Sequence, residues 1–79
     1  MSAKEMFENI NMYKQNVVYK DKVIMYTDIR SKLVIIFYLE KKEIAIDSLK
    51  EGQDKRYELS YKILQAINKQ VEELGWLDE

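Results

Sequence analysis

Seven consecutive residues, 33–39, are apolar, and this run constrains the fold of the chain more than any other feature. It is rich in β-branched and aromatic side chains, which favours a β-strand. Because successive side chains of a strand point to opposite faces of a sheet, both faces of this strand are apolar. One face would carry Leu33, Ile35, Phe37 and Leu39, and the other Val34, Ile36 and Tyr38. The fold therefore has to shelter a sheet on two sides.

Three further segments have the composition of strands. We predict strands at residues 12–19, 22–28 and 43–47, and extend the apolar run to 33–40. The polar connections between them are short, whereas a parallel pair needs a crossover of about a dozen residues or more. The sequence therefore predicts a four-stranded antiparallel β-meander.

A C-terminal helix is predicted over residues 61–74. Apolar residues recur there at spacings of three and four, namely Ile63, Leu64, Ile67, Val71 and Leu74. Ser60 is suited to be the N-cap, and Leu59 before it has the spacing of a hydrophobic staple with Leu64. Gly75 stands where a left-handed residue ends a helix, and Trp76 is expected to fold back on Val71.

A short N-terminal helix is also predicted. Ser2 and Glu5 have capping-box spacing, and Met6, Phe7 and Ile10 form one helical stripe. We expect this helix at the edge of the sheet or on the face opposite the C-terminal helix. The polar residues 47–56, which include Gly52, are predicted to be the connecting loop. Together these elements make one small α+β domain over residues 1–79.

Composition argues against an enzyme. The chain has no cysteine and no histidine, so the commonest nucleophile, general base and metal ligands are missing. With Gly52 and Gly75 as the only glycines, it cannot build a glycine-rich phosphate loop. No two of its carboxylates are spaced in the sequence so that the fold would have to bring them together in one site. We therefore predict no catalytic, cofactor-binding or metal-binding residues and no small-molecule ligand. No apolar run approaches the roughly 20 residues of a membrane span.

A protein–protein interface is the favoured function. A helix of 14 residues is about 21 Å long and covers one face of a four-stranded sheet, not both. The expected contact centre is Val34, Ile36 and Tyr38, with Met25 or Tyr26 from the neighbouring strand, and its polar rim includes Lys41 and Lys42. Trp76 is a further candidate for the interface, although its expected contact with Val71 at the helix end accounts for a tryptophan there without a partner. The partner would be another protein or a second copy, giving a homodimer.

The alternative is a weak binder of single-stranded nucleic acid. Residues 11–32 carry five basic and two acidic side chains, in a chain with 13 basic and 14 acidic residues overall. Tyrosines beside lysines on a sheet can stack bases and contact phosphates. The candidates are Tyr13, Lys14, Tyr19, Lys20 and Lys22. The competing explanation is that tyrosine favours strands and that lysine protects sheet edges.

The C-terminal run LQAINKQVEELGWL, residues 64–77, resembles the ending of small, uncharacterised phage and prophage proteins of Gram-positive bacteria. Those proteins also have a Met-Phe-Glu start, here residues 6–8, and several short Tyr/Ile-rich strands. The resemblance implies a phage or prophage origin, an accessory role and the host cytoplasm as the working compartment. It implies no catalytic or ligand residues, and the polar loop at residues 47–56 is longer here.

Overall fold

A computed structural model describes residues 1–18, 22–48 and 58–78 of the chain. Its elements are α1 (Ala3–Glu8), β1 (Tyr13–Lys14), β2 (Val23–Asp28), β3 (Leu33–Tyr38), β4 (Glu43–Ser48), α2 (Tyr61–Glu73) and a 3₁₀ helix (Trp76–Asp78). The four strands form one antiparallel sheet in the order β1-β2-β3-β4. The predicted α+β class and antiparallel meander are confirmed.

Two similar hairpins set the register of the sheet. β2 and β3 pair over six residues, and so do β3 and β4. Each connection has four residues, 29–32 and 39–42, and ends on a lysine in the left-handed region, with φ of 61° at Lys32 and 57° at Lys42. β1 is shorter than the predicted strand, since only Tyr13 and Lys14 pair with β2. The end of that predicted strand, residue 19, lies outside the described residues.

The helix α2 begins and ends close to the predicted positions. The hydroxyl of its N-cap, Ser60, accepts a hydrogen bond from the Ile63 amide at 3.3 Å. At the other end Gly75 has φ +76°, and its amide donates to the Glu72 carbonyl at 3.0 Å. The left-handed conformation fits glycine because a Cβ is disfavoured there. Of the predicted loop at residues 47–56, residues 47 and 48 belong to β4, and the rest lies outside the described residues.

Both helices pack on the same face of the sheet, which we call the first face. The Phe7 ring of α1 stacks on Tyr26 of β2, with 3.9 Å between ring centroids. The buried core around this pair consists of Phe7, Met12, Tyr26, Leu33, Ile35, Phe37 and Ala66. Of the two predicted positions for the N-terminal helix, the face opposite the C-terminal helix was therefore wrong, whereas α1 does lie beside the edge strand β1.

A hydrogen bond between the helices explains this placement. The amide of Ala3, in the first turn of α1, donates to the Glu73 carboxylate in the last turn of α2 at 2.8 Å. A carboxylate at a helix N-terminus satisfies a backbone donor that has no partner within the helix. A six-residue helix is marginal alone, so its position follows from α2 and the Phe7 contact.

Candidate functional site

The opposite side of the sheet, which we call the second face, is formed by alternate residues of the four strands. Directly paired residues of antiparallel strands share a face, so the register assigns each row. The first row is Tyr13, Thr27, Val34 and Asp47, the second is Met25, Ile36 and Ala45, and the third is Val23, Tyr38 and Glu43. The centre of the second face is thus apolar, and its β4 margin is acidic.

Within residues 1–18, 22–48 and 58–78, no helix packs on the second face. The core and the apolar residues packed against it include none of that face's side chains. Val34 is 6 % exposed, and Met25, Ile36 and Tyr38 are half-buried. The predicted contact residues Val34, Ile36, Tyr38 and Met25 do lie together on one surface.

Two other interface candidates lie elsewhere. Tyr26 alternates with Met25 and so belongs to the first face, where it is 2 % exposed and its hydroxyl donates to the Gln70 side-chain oxygen at 2.8 Å. Trp76 is half-buried on that face too, with its ring 6.4 Å from the Phe37 ring. Of the two alternatives predicted from the neighbouring strand, Met25 therefore lies on the second face and Tyr26 does not, and Trp76 lies apart from that surface.

Charged side chains and two shallow cavities border the second face. One cavity, of about 200 Å³, lies at the Val23–Tyr38 end and is lined by Lys22, Val23, Tyr38, Glu40 and Lys41. Lys41 Nζ lies 5.9 Å from the centre of the Tyr38 ring, and Lys42 occupies the last position of the turn.

The second cavity lies at the other end of β2. It has a volume of about 240 Å³ and is lined by Asn11, Tyr13, Asp28, Ile29 and Arg30. Both cavities therefore contain a basic side chain beside residues of the second face.

The residues predicted for nucleic-acid binding do not share one surface. Tyr13 is 49 % exposed on the second face, whereas its neighbour Lys14 pairs with Tyr26 and so belongs to the first face. Lys22 is exposed at the start of β2. The two other candidates, Tyr19 and Lys20, lie outside the described residues.

Two of the titratable groups that the structure describes have shifted pKa values, and both take part in contacts within the fold. Burial, together with the negative charges of Glu73 and Glu8, raises the pKa of Tyr26 to about 12. Hydrogen bonds from the backbone and side chain of Ser2 lower the pKa of Glu5, in the predicted capping box. Within the described part of the chain, no group of three or more acidic, histidine or cysteine side chains is placed to hold a metal ion.

Gln70 is the buried residue that sequence reasoning missed. It is 6 % exposed and lies on the apolar stripe of α2, between Ile67 and Leu74. A polar residue at that position is a detectable signal, because a buried amide needs a hydrogen-bond partner. Tyr26 supplies that partner.

Comparisons with known proteins found no relative of this chain. No family model, curated protein or solved structure matches the chain. Among the helices that the structure describes, none is long and apolar enough to cross a membrane.

Proposed function

We propose that this chain is a non-enzymatic protein-interaction module that docks a protein surface onto the second face. The observation that supports this most is the apolar centre of that face, where Met25, Ile36 and Tyr38 are half-buried around the buried Val34 and no described helix packs. Apolar patches rimmed by polar residues are typical of protein contact sites. Here the rim carries Lys22, Lys41 and Glu43.

The strength of such a contact depends on how much apolar surface of the second face is still exposed and can be buried by a partner. Fully burying a large apolar side chain contributes about 1.5–3 kcal/mol, and Met25, Ile36 and Tyr38 are already half-buried. Their further burial therefore contributes a few kcal/mol, from which the entropy of association is subtracted. We expect modest affinity and reversible docking.

The proposed origin is a phage or prophage, with an accessory role in the host cytoplasm. This part of the proposal is supported by the resemblance of residues 64–77 to the ending of such proteins. In the fold those residues form α2 and its C-terminal cap, which packs on the first face. The docking surface is therefore separate from the segment that carries the resemblance.

The test compares two variants with the same chemical change. Ile36→Glu places a charge at the centre of the second face, between Met25 and Ala45. Ile29→Glu is the matched control, because Ile29 is 74 % exposed in the turn between β2 and β3. Circular dichroism melts establish that both variants fold.

The readouts are sedimentation velocity at rising concentration and titration of purified proteins that co-purify with the wild-type chain. We expect association that Ile36→Glu abolishes and Ile29→Glu preserves. A wild-type chain that stays monomeric and binds none of these proteins more tightly than Ile36→Glu does would refute the proposal. Binding to a single-stranded oligonucleotide at 50 mM salt, in place of protein binding, would refute it in favour of the nucleic-acid alternative.

A further inference from the structure

We infer that the outer edge of β4 pairs with the β4 edge of a second copy, so that two four-stranded sheets join into one antiparallel sheet. The two-fold axis is perpendicular to the sheet and passes beside Ala45 of each copy. This inference goes beyond the proposed function, because it uses an edge of the sheet and leaves the second face of both copies open. Docking on the second face then adds to this dimer.

The backbone of β4 has hydrogen-bonding groups on its outer edge. The Leu39 amide donates to the Lys22 carbonyl at 2.9 Å, so odd-numbered residues of β3 bond to β2 and even-numbered ones bond to β4. The residues of β4 that bond to β3 are therefore Glu43, Ala45 and Asp47. The amide and carbonyl groups of Ile44 and Ile46 point outward, to the side on which none of the described strands lies.

This edge lacks the features that usually prevent a sheet from pairing with another chain. Those features are short edge strands, lysines, prolines and bulges. β4 contains no proline or lysine, and it pairs with β3 over six consecutive residues. The opposite edge is protected, because β1 has two residues, contains Lys14 and lies beside α1. β4 is therefore the edge at which a further strand is favoured.

The side chains of β4 determine what the further strand must be. On the first face Ile44 is 37 % exposed, and on the second face Glu43 and Asp47 are exposed. A neighbouring strand therefore needs apolar side chains on the first face and polar ones on the second. β4 of a second copy has this alternation, and a two-fold axis perpendicular to the sheet keeps each face on its own side.

The helix α2 presents a second apolar side chain toward the same edge. Leu64 and Glu73 are nine residues apart, about two and a half turns, so they point to opposite sides of α2. The Glu73 carboxylate faces α1, through its hydrogen bond with the Ala3 amide. Because α1 packs over β1 and β2, Leu64 lies on the β4 side, where it is 52 % exposed. The two-fold axis places both α2 helices on one side of the joined sheet, with their Leu64 side chains toward the junction.

The register follows from the residues next to the axis. Centring the pair on Ala45 joins Ile44 of each copy to Ile46 of the other through their outward amide and carbonyl groups. The two Ala45 residues then form a close pair, with Cα atoms about 4.5 Å apart, which suits a small side chain. This register also places Glu43 opposite Asp47, and like charges weaken a cross-strand pair. Because the interface is one strand wide, we expect a dissociation constant above about 10 μM.

The test compares two variants of one residue by sedimentation equilibrium at concentrations up to about 1 mM. Ile44→Pro removes the outward amide, and proline is tolerated at such a position of an edge strand. Ile44→Val is the matched control, because it keeps that amide and has as many side-chain carbons as proline. We expect Ile44→Pro to weaken dimerisation at least about tenfold and Ile44→Val less than about threefold. Glu43→Gln should tighten the dimer about twofold or more, because it removes the like-charge pair.

Amide hydrogen exchange of the wild-type chain tests the same contact even if Ile44→Pro does not fold. We expect the Ile44 and Ile46 amides to exchange about threefold or more slowly at about 1 mM than at about 20 μM. The Ala45 amide is the internal control, because it points toward β3 and its exchange should not depend on concentration.

The outcomes separate this inference from the proposed function. A dimer that Ile44→Pro loses and that Ile44→Val and Ile36→Glu keep supports the inference. A wild-type monomer at about 1 mM, or Ile44 and Ile46 amides whose exchange is the same at both concentrations, overturns it. Association that Ile36→Glu abolishes and Ile44→Pro preserves also overturns it, and supports docking on the second face instead. A dimer that Glu43→Gln does not tighten overturns the register centred on Ala45.

Discussion

The hydrogen bond between Tyr26 and Gln70 joins the sheet to α2 inside the core, and we predict that its loss is costly. The Tyr26 hydroxyl donates to the Gln70 side-chain oxygen at 2.8 Å, and the two residues are 2 % and 6 % exposed. In the described part of the chain, no buried side-chain nitrogen or oxygen lacks a partner. Tyr26→Phe would therefore leave a buried carbonyl oxygen without one.

The expected magnitude follows from this geometry. Tyr26→Phe keeps the ring stacked on Phe7 and removes one oxygen, so the cost comes from the unpaired Gln70 rather than from lost packing. A buried acceptor without a partner costs about 1–3 kcal/mol. Gln70→Met instead leaves the tyrosine hydroxyl unpaired at a similar cost. The double variant removes both polar partners, so its loss should be smaller than the sum of the single losses by at least about 0.5 kcal/mol.

The assay is urea unfolding of all four proteins, followed by circular dichroism and Trp76 fluorescence. The free energies of unfolding form a double-mutant cycle, provided that the two probes give coincident transitions. If Tyr26→Phe unfolds within about 0.3 kcal/mol of wild type, or if the two losses add, the hydrogen bond does not stabilise the core as argued.

Three further predictions concern Tyr26, Gly75 and Lys32. Because the folded pKa of Tyr26 is about 12, above its ordinary 10, the unfolded chain loses that proton first, so stability should fall between about pH 10 and 12 by up to about 3 kcal/mol. The urea midpoint of Tyr26→Phe should fall less over this pH range than that of the wild type. An equal fall in both proteins would show that ionisation of Tyr26 is not the cause. Gly75→Ala should cost about 1 kcal/mol from its φ of +76° alone, since an added Cβ meets nothing within 4 Å; a smaller loss for Gly75→Asn in thermal melts would support this. Lys32→Gly should gain up to about 1 kcal/mol in urea unfolding because φ is 61° there, and an equal gain from Lys32→Ala would refute that reason.

The sheet and α2 could be predicted because their signals are local. The apolar run at residues 33–39 predicts a buried strand, and short polar connections leave antiparallel hairpins as the arrangement. For α2, Ser60 and Gly75 predict a helix over residues 61–74, one residue longer than the helix in the structure. Each of these signals acts within a few residues of the backbone that it shapes.

The placement of α1 and Tyr26 could not be predicted, because it depends on contacts between residues far apart in the chain. A stripe containing Phe7 predicts a helix, but it does not state which face of the sheet that helix covers. Whether Met25 or Tyr26 joins the second face depends on the register of β2 against β3, which moves every side chain to the other face with a shift of one residue. The turn at residues 29–32 fixes that register, and its left-handed Lys32 has no signal comparable to a glycine.

The contacts that hold α1 also set when the chain can fold as it is made. Tyr26 meets Phe7 early in synthesis, but Gln70 and Glu73 emerge 63 or more residues after Phe7. At about 5–20 residues per second this delay is roughly 3–13 s. The two hairpins can close within microseconds of emerging, whereas Gln70 follows Ser48, the last residue of β4, by 22 residues, or roughly 1–4 s at that rate. For that interval the first face lacks the cover of α2, and of the two helices only α1 can pack on it.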